Sequence, residues 1–408
     1  MGIVMKKRVK RENEFTKDMR KTHTIYMPQM LHYHNELLCG AFRYGGYKLD
    51  VVPEYNELAK EVYSLVGKDY CTCAIGIVGN LITFLKGLEK KETVAFLEPQ
   101  AGGACRAGNY YNLIVESLKK LDYKKVPVLS LNFHGEEAHS GFRINGRLLV
   151  AAVAATCYGD LLMCLTQQIR PYELNKGQTE ALRKKWVDEL SMDISKGKSL
   201  FNRKKIYRRI LESFCDIPVD RSRKCTKVGI VGEIYIKFSP VGNFHLEDFL
   251  YDNNCELRQG GFINYCAYVV YSEMMNNGLQ DKGIWGYNWV LKYINKLQIE
   301  FNTILESYGY LHDRCFDEIL KVKGQALDEH YNIGDGWLMS AEAFDLAEQG
   351  YNKILIVHPF GCLVSHVGGR GVIKYLNRHL DNAKVTSVEF DYDQSKTLRE
   401  SRIMLAIS

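Results

Sequence analysis

Thr93-Val94-Ala95-Phe96-Leu97-Glu98-Pro99-Gln100-Ala101-Gly102-Gly103-Ala104-Cys105 carries the fold in miniature. Its apolar start, Thr93 to Leu97, reads as a strand, the proline and glycines end it, and a helical pattern follows from Tyr110 to Leu121. The next apolar run, Val126 to Leu131, reads as another strand. Strand, ten-residue helix and strand make a βαβ unit, which implies a right-handed crossover and a parallel sheet. The alternation extends upstream, with strands expected at Thr24 to Pro28 and Lys48 to Val52. Helices are expected there at about Leu31 to Tyr44, Glu54 to Val66 and through Leu81, Leu85 and Leu88. A second cycle begins at Lys227 to Gly232, with further strands at Lys353 to Val357 and Val385 to Phe390. Its helices are expected at about Phe262 to Asn276, Trp289 to Glu306, Trp337 to Gln349, Val372 to Leu380 and Thr397 to Ala406. Between the cycles, Leu148 to Phe214 is helical in pattern, and Asp216 to Lys224 reads as a charged linker. The expected fold class is α/β, with two doubly wound parallel-sheet domains at 24–147 and 226–408, a helical extension and linker at 148–225, and a basic flexible leader at 1–23.

Composition narrows the function classes. At roughly 150 residues per domain, 408 residues fit two or three domains. Apolar residues at 46% and charged residues at 25% exclude a disordered chain. The net charge is +6, but residues 1–23 hold eight Lys/Arg against three Asp/Glu, so +5 lies in the leader and +1 elsewhere. A basic nucleic-acid-binding body is therefore not expected. The apolar stretch Leu148 to Tyr158 lies between Arg147 and Asp160, reads as too short to span a bilayer, and is expected to be a buried helix. No apolar segment follows the N-terminal basic residues, so a cytoplasmic location with reduced thiols is expected.

Among twelve cysteines, three share a setting. Cys105 and Cys362 each follow a strand through a glycine-containing loop and precede a helix, and Cys71 stands between a polar turn and a helix. Ligands collect at the carboxyl ends of strands in open α/β sheets. A helix N-terminus offers N–H groups and a positive dipole end, which is expected to lower a thiol's pKa. Three such thiolates suit an iron–sulfur cluster. A free cysteine is ordinarily a small core hydrophobe, however, and no CxxC pair occurs here, so spacing alone leaves both readings open.

The segments Cys71 to Gly79, Gln100 to Tyr110, Val126 to Asn132, Val228 to Phe238, Gly336-Trp337-Leu338, His358 to His366 and Glu389 to Asp393 occur in order over most of residues 24–407. As a set they resemble the 2-hydroxyacyl-CoA dehydratase superfamily, in the branch related to the C-terminal region of large acyl-CoA dehydratase activases and to double-cubane cluster proteins. The resemblance implies flavodoxin-like domains and an oxygen-sensitive 4Fe-4S-type cluster, and it places the ligands on Cys71, Cys105 and Cys362. There are departures. The family's usual Cys-Tyr-Pro is Cys71-Thr72-Cys73 here, which makes Cys73 a competing ligand; Thr-Gly-Gly is Ala101-Gly102-Gly103; and a common Pro is Val364. Three thiolates leave one iron without a protein sulfur. A double cubane needs about six, which calls on other cysteines or on a homodimer.

The resemblance further implies an anaerobic iron–sulfur protein that accepts low-potential electrons from an ATP-hydrolysing activase and uses them in reductive or radical dehydration of an acyl-CoA or another small molecule. The ATPase is expected in trans, because neither GxxxxGKS nor GxxxxGKT occurs, and Gly334-Asp335-Gly336 leads into a helix rather than forming a phosphate loop. The alternative is a non-catalytic scaffold or partner subunit with a structural cluster or none. The basic runs Arg183-Lys184-Lys185 and Arg203-Lys204-Lys205 read as wet helix faces or a docking surface. His134, His139, His358, His366, Glu136 and Glu137 lie near predicted strand ends, with His366 a candidate proton donor. Asp391 and Asp393 are expected to cap the last helix.

Overall fold

The computed structural model describes residues 13–55, 57–67, 69–99, 105–131, 139–278, 284–322 and 324–408. His134, Glu136, Glu137 and the Ala101-Gly102-Gly103 turn lie outside them. The first sheet contains β1 (Thr24–Met27), β2 (Leu49–Val51), β3 (Val94–Pro99) and β4 (Val128–Leu131), in the order β2-β1-β3-β4. The second contains β5 (Thr226–Gly232), β6 (Cys255–Gln259), β7 (Lys353–Pro359) and β8 (Lys384–Phe390), in the order β6-β5-β7-β8. Every pairing is parallel. The protein is thus α/β, with two four-stranded parallel sheets ordered as in flavodoxin-like folds.

The two cycles share an interior. Val94, Phe96 and Val128 from the first sheet and Val228, Ile230, Leu355 and Val357 from the second belong to one buried apolar cluster, which also holds the helix Thr72–Gly87. The opposite face of the first sheet, with Ile25, Ala95 and Leu97, packs on the helices Gly146–Ile169, Gln178–Ser195 and Arg203–Cys215. That core also takes Leu297, Ile304 and Leu305 from the helix Trp285–Ser307, which the chain inserts between β6 and β7.

Four expectations need correction. Cys255–Gln259 was not foreseen as a strand, because Cys-Glu-Leu-Arg-Gln lacks β-branched residues and carries charge. It is nevertheless buried along its whole length, with Glu256 taking hydrogen bonds from Tyr172 and Tyr351, and Arg258 paired with Asp313. The leader is not loose up to residue 23. Phe15 is fully buried, its N–H donates to His139 Nδ1 at 3.0 Å, and Met19 packs on the first core. The helix beginning near Leu148 is not short: Gly146–Tyr172 is long and apolar enough to cross a bilayer, yet 72% of its apolar window is buried inside the protein. Its polar residues also face inward. Asp160 accepts hydrogen bonds from the Phe262 and Ile263 N–H groups, and Gln168 brackets the Leu311 peptide. Finally, the last helix, Lys396–Ile407, is capped by Ser395, whose side chain accepts from Leu398 N–H; Asp391 and Asp393 stand upstream of that cap.

Candidate functional site

Each of the three expected cysteines occupies the N-cap position of a helical segment. Cys71 precedes Thr72–Gly87, Cys105 precedes Arg106–Asn109, and Cys362 precedes Leu363–Gly368. Cys105 and Cys362 follow the carboxyl ends of β3 and β7. The Cys71 and Cys362 loops touch directly: Thr72 N–H donates to Phe360 O at 3.1 Å. Gly361, at φ +72°, lies so close that a Cβ there would sit 3.4 Å from Cys71 Cα. Cys105 packs against the small cluster of Met339, Cys362 and Val364. The ionised forms of two of the thiols are disfavoured by burial and also by a neighbour in this group, Cys105 by Cys71 and Cys362 by Cys105. The loops that carry the three cysteines therefore share one neighbourhood, and Cys73 lies beside it with its thiol on Glu233.

The electrostatics reverse the expectation of low thiol pKa values. Burial pushes Cys105 and Cys362 up to about 12, raises Cys71, and raises Cys73 well above the ordinary thiol value. Backbone N–H groups of Ala74, Ala107 and Ser365 face Cys71, Cys105 and Cys362 and pull the other way, as helix N-termini should. Of these, Ser365 N–H reaches Cys362 Sγ at 3.4 Å. Desolvation wins because few cations balance the site: Arg106 acts weakly on Cys71, and Lys237 is held by both oxygens of Glu342 at 2.8 Å. Cys71 Sγ lies 3.0 Å from Tyr110 Oη.

Two carboxyl groups went unnoticed in the sequence. Glu233 follows β5 directly and caps the short helix Ile234–Phe238, taking Ile236 N–H at 2.9 Å and the Cys73 thiol at 3.1 Å on the same oxygen. Its strand ends at Gly232, where φ is +144° and a Cβ would lie 1.9 Å from Val357 O, so only glycine lets β5 pass β7 this closely. Asp335, in the Gly334-Asp335-Gly336 loop, is buried near Glu233 and Cys105. Burial raises both carboxyls, Asp335 strongly. A strand-end position like those of Cys105 and Cys362 was the available signal for Glu233. Asp335 had no comparable signal.

No family model and no curated protein matches this chain.

The other candidates lie elsewhere or serve packing. His139 is buried against the leader. His358 is fully buried on β7, where desolvation lowers it to about 4. His366 turns its Nδ1 to Cys362 O at 2.7 Å and its Nε2 toward Glu389, so its ring contacts the Cys362 backbone rather than the sulfur. Of the basic runs, Lys184, Lys185, Lys204 and Lys205 are exposed, whereas Arg183 is buried against Glu180 and the Tyr33 ring. The remaining eight cysteines are spread over other parts of the fold; Cys39, Cys157 and Cys164, for example, belong to the first core.

Proposed function

We propose that this chain is an iron–sulfur protein of the 2-hydroxyacyl-CoA dehydratase type. The observation that carries the reading is the meeting of Cys71, Cys105 and Cys362, each at a helix N-terminus, in one buried neighbourhood at the carboxyl ends of strands from both sheets. The donor set suits such a group. Sulfur ligands are soft, backbone N–H groups face them, and the surroundings are too poor in cations to keep the thiols ionised by themselves. A bound cationic core would supply the missing positive charge and displace thiol protons. Cys71, Cys105 and Cys362 are the proposed ligands of a 4Fe-4S cluster, with Cys73 engaged by Glu233 instead.

When bound, such a cluster supplies one-electron chemistry at low potential. The residues of the chain do the rest. Tyr110 and Ser365 hydrogen-bond to sulfur atoms, which sets how readily those sulfurs carry charge. Burial raises the carboxyls of Glu233 and Asp335 beside the thiols, which favours their protonated forms there. Met339, Val364, Tyr331 and Ile333 exclude water on the Cys362 side. Electrons are proposed to come from an ATP-hydrolysing activase in trans, and the substrate is proposed to be an acyl-CoA or a similar small molecule. A double cubane would need its second set of thiols from other cysteines or from a second copy of the chain; Cys39, Cys157 and Cys164 belong to the first core instead.

Anaerobic purification with iron and sulfide analysis, followed by electron paramagnetic resonance after reduction, tests this. Wild-type protein should carry about four irons that change redox state, and Cys105→Ser should lose them while keeping its circular dichroism. Iron-free wild-type protein after anaerobic reconstitution, or unchanged iron in Cys105→Ser, overturns the reading. A cluster that never changes redox state assigns the chain to the scaffold class.

A further inference from the structure

On the other face of the second sheet, away from the shared interior, a separate set of ligating groups meets. His358 on β7 and Glu389 on β8 are direct register partners, so their side chains leave the sheet on the same face. His366 reaches them from the helix Leu363–Gly368. One ligand atom from each of the three lies within 4.8 Å of the others. His366 Nδ1 donates to Cys362 O at 2.7 Å, which leaves Nε2 as the ring nitrogen that faces Glu389. A histidine oriented by a backbone carbonyl through its other nitrogen is the usual second-shell arrangement of a metal ligand. His366 Nε2 stands 3.3 Å from Glu389 Oε2. That is longer than a charge-assisted hydrogen bond of about 2.7–2.9 Å. It matches the edge of about 3.4 Å of a tetrahedron with bonds of about 2.0–2.1 Å to nitrogen and oxygen. His358 is braced by Ser387 Oγ at 2.6 Å, and its ring crosses that of His366 at 5.2 Å. His366 and Glu389 are 34% and 25% exposed, so the site opens to solvent on the side that a fourth ligand would need.

We propose that His358, His366 and Glu389 form a metal site for a divalent first-row ion, of the two-histidine, one-carboxylate kind, with a position left open to water or a small ligand. The site does not depend on the thiols holding a cluster.

Cobalt(II) titration of the full chain under anaerobic conditions tests it. In a Cys71→Ser, Cys105→Ser background, one equivalent of cobalt should give visible d–d absorption without thiolate-to-metal charge transfer. His366→Gln or Glu389→Gln added to that background should weaken binding at least about tenfold. Binding that neither substitution changes overturns the proposal, as does absence of binding in a background that stays folded by circular dichroism. If the background does not fold, histidine-labelled NMR of the unsubstituted chain decides: His358 and His366 resonances must broaden together within the first equivalents, and broadening that spares either one overturns it. Failure of this site leaves the iron content of the Cys105→Ser test untouched, so the two readings fall separately.

Discussion

Cys71 and Cys73 stand two residues apart, yet the fold gives them different work. Cys71 is the cap that shares the setting of Cys105 and Cys362, while Cys73 lies inside the helix and donates its hydrogen to Glu233. Cys71→Ser should therefore lose iron, and Cys73→Ser should retain it, as measured by iron analysis of anaerobically prepared protein; equal loss in both would move the ligand role to the pair. Gly76, one turn further on, has another constraint. A Cβ there would lie 2.5 Å from Tyr392 Oη and 2.8 Å from Tyr235 Oη, both from the second lobe. Gly76→Ala should cost about 1–3 kcal/mol through overpacking, seen as a lower chemical-unfolding midpoint. At this scale the sequence was legible where a residue's neighbours in the chain set its role. Cys105 and Cys362 were marked by strand-to-helix loops, and Cys71 by a polar turn ahead of a helix. Glu233 shared the strand-end position and Asp335 did not, but an acidic residue in a loop is ordinarily solvated and only the tertiary fold buries these two. His358 and Glu389 are joined solely by strand register, which no local pattern encodes.

Elements were legible in proportion to how apolar they are. β3, β5 and β7 are buried on both faces and read as unbroken apolar runs, as central parallel strands do. β6 hides behind Glu256, Arg258 and Gln259, because its side chains find partners far along the chain: Tyr172, Tyr351, Asp313 and Met163. The cost of that arrangement is testable. Arg258 is 1% exposed and its partner Asp313, 2.7 Å away, also accepts Gly261 N–H. Asp313→Ala strands a buried guanidinium and should destabilise the protein by about 3–5 kcal/mol, measured by urea unfolding. A loss under about 1 kcal/mol would mean that Arg258 finds compensation elsewhere.

For the whole molecule, one apolar cluster spans both sheets, so the lobes should unfold together in a single calorimetric transition; two separated transitions would contradict a shared core. A pH-sensitive tie crosses the same boundary. His245 faces Asp248 at 3.6 Å and Glu54 at 2.5 Å, and these carboxylates raise it to about 9. Because the folded value lies above the ordinary 6.5, the stabilisation is full below about pH 6.5 and disappears as pH rises through 9. The groups are partly exposed, so the effect is at most about 1 kcal/mol. His245→Gln should lower the melting temperature at pH 6 and leave it unchanged at pH 10.

The loop contact between Thr72 and Phe360 also orders events in time. A ribosome that has released the first sheet presents Cys71 and Cys105 without their distant companion, since the strand leading to Cys362 is translated much later. The three cysteine loops can meet only once Cys362 has been made. Until then Cys71 and Cys105 stand without the third thiol of their neighbourhood.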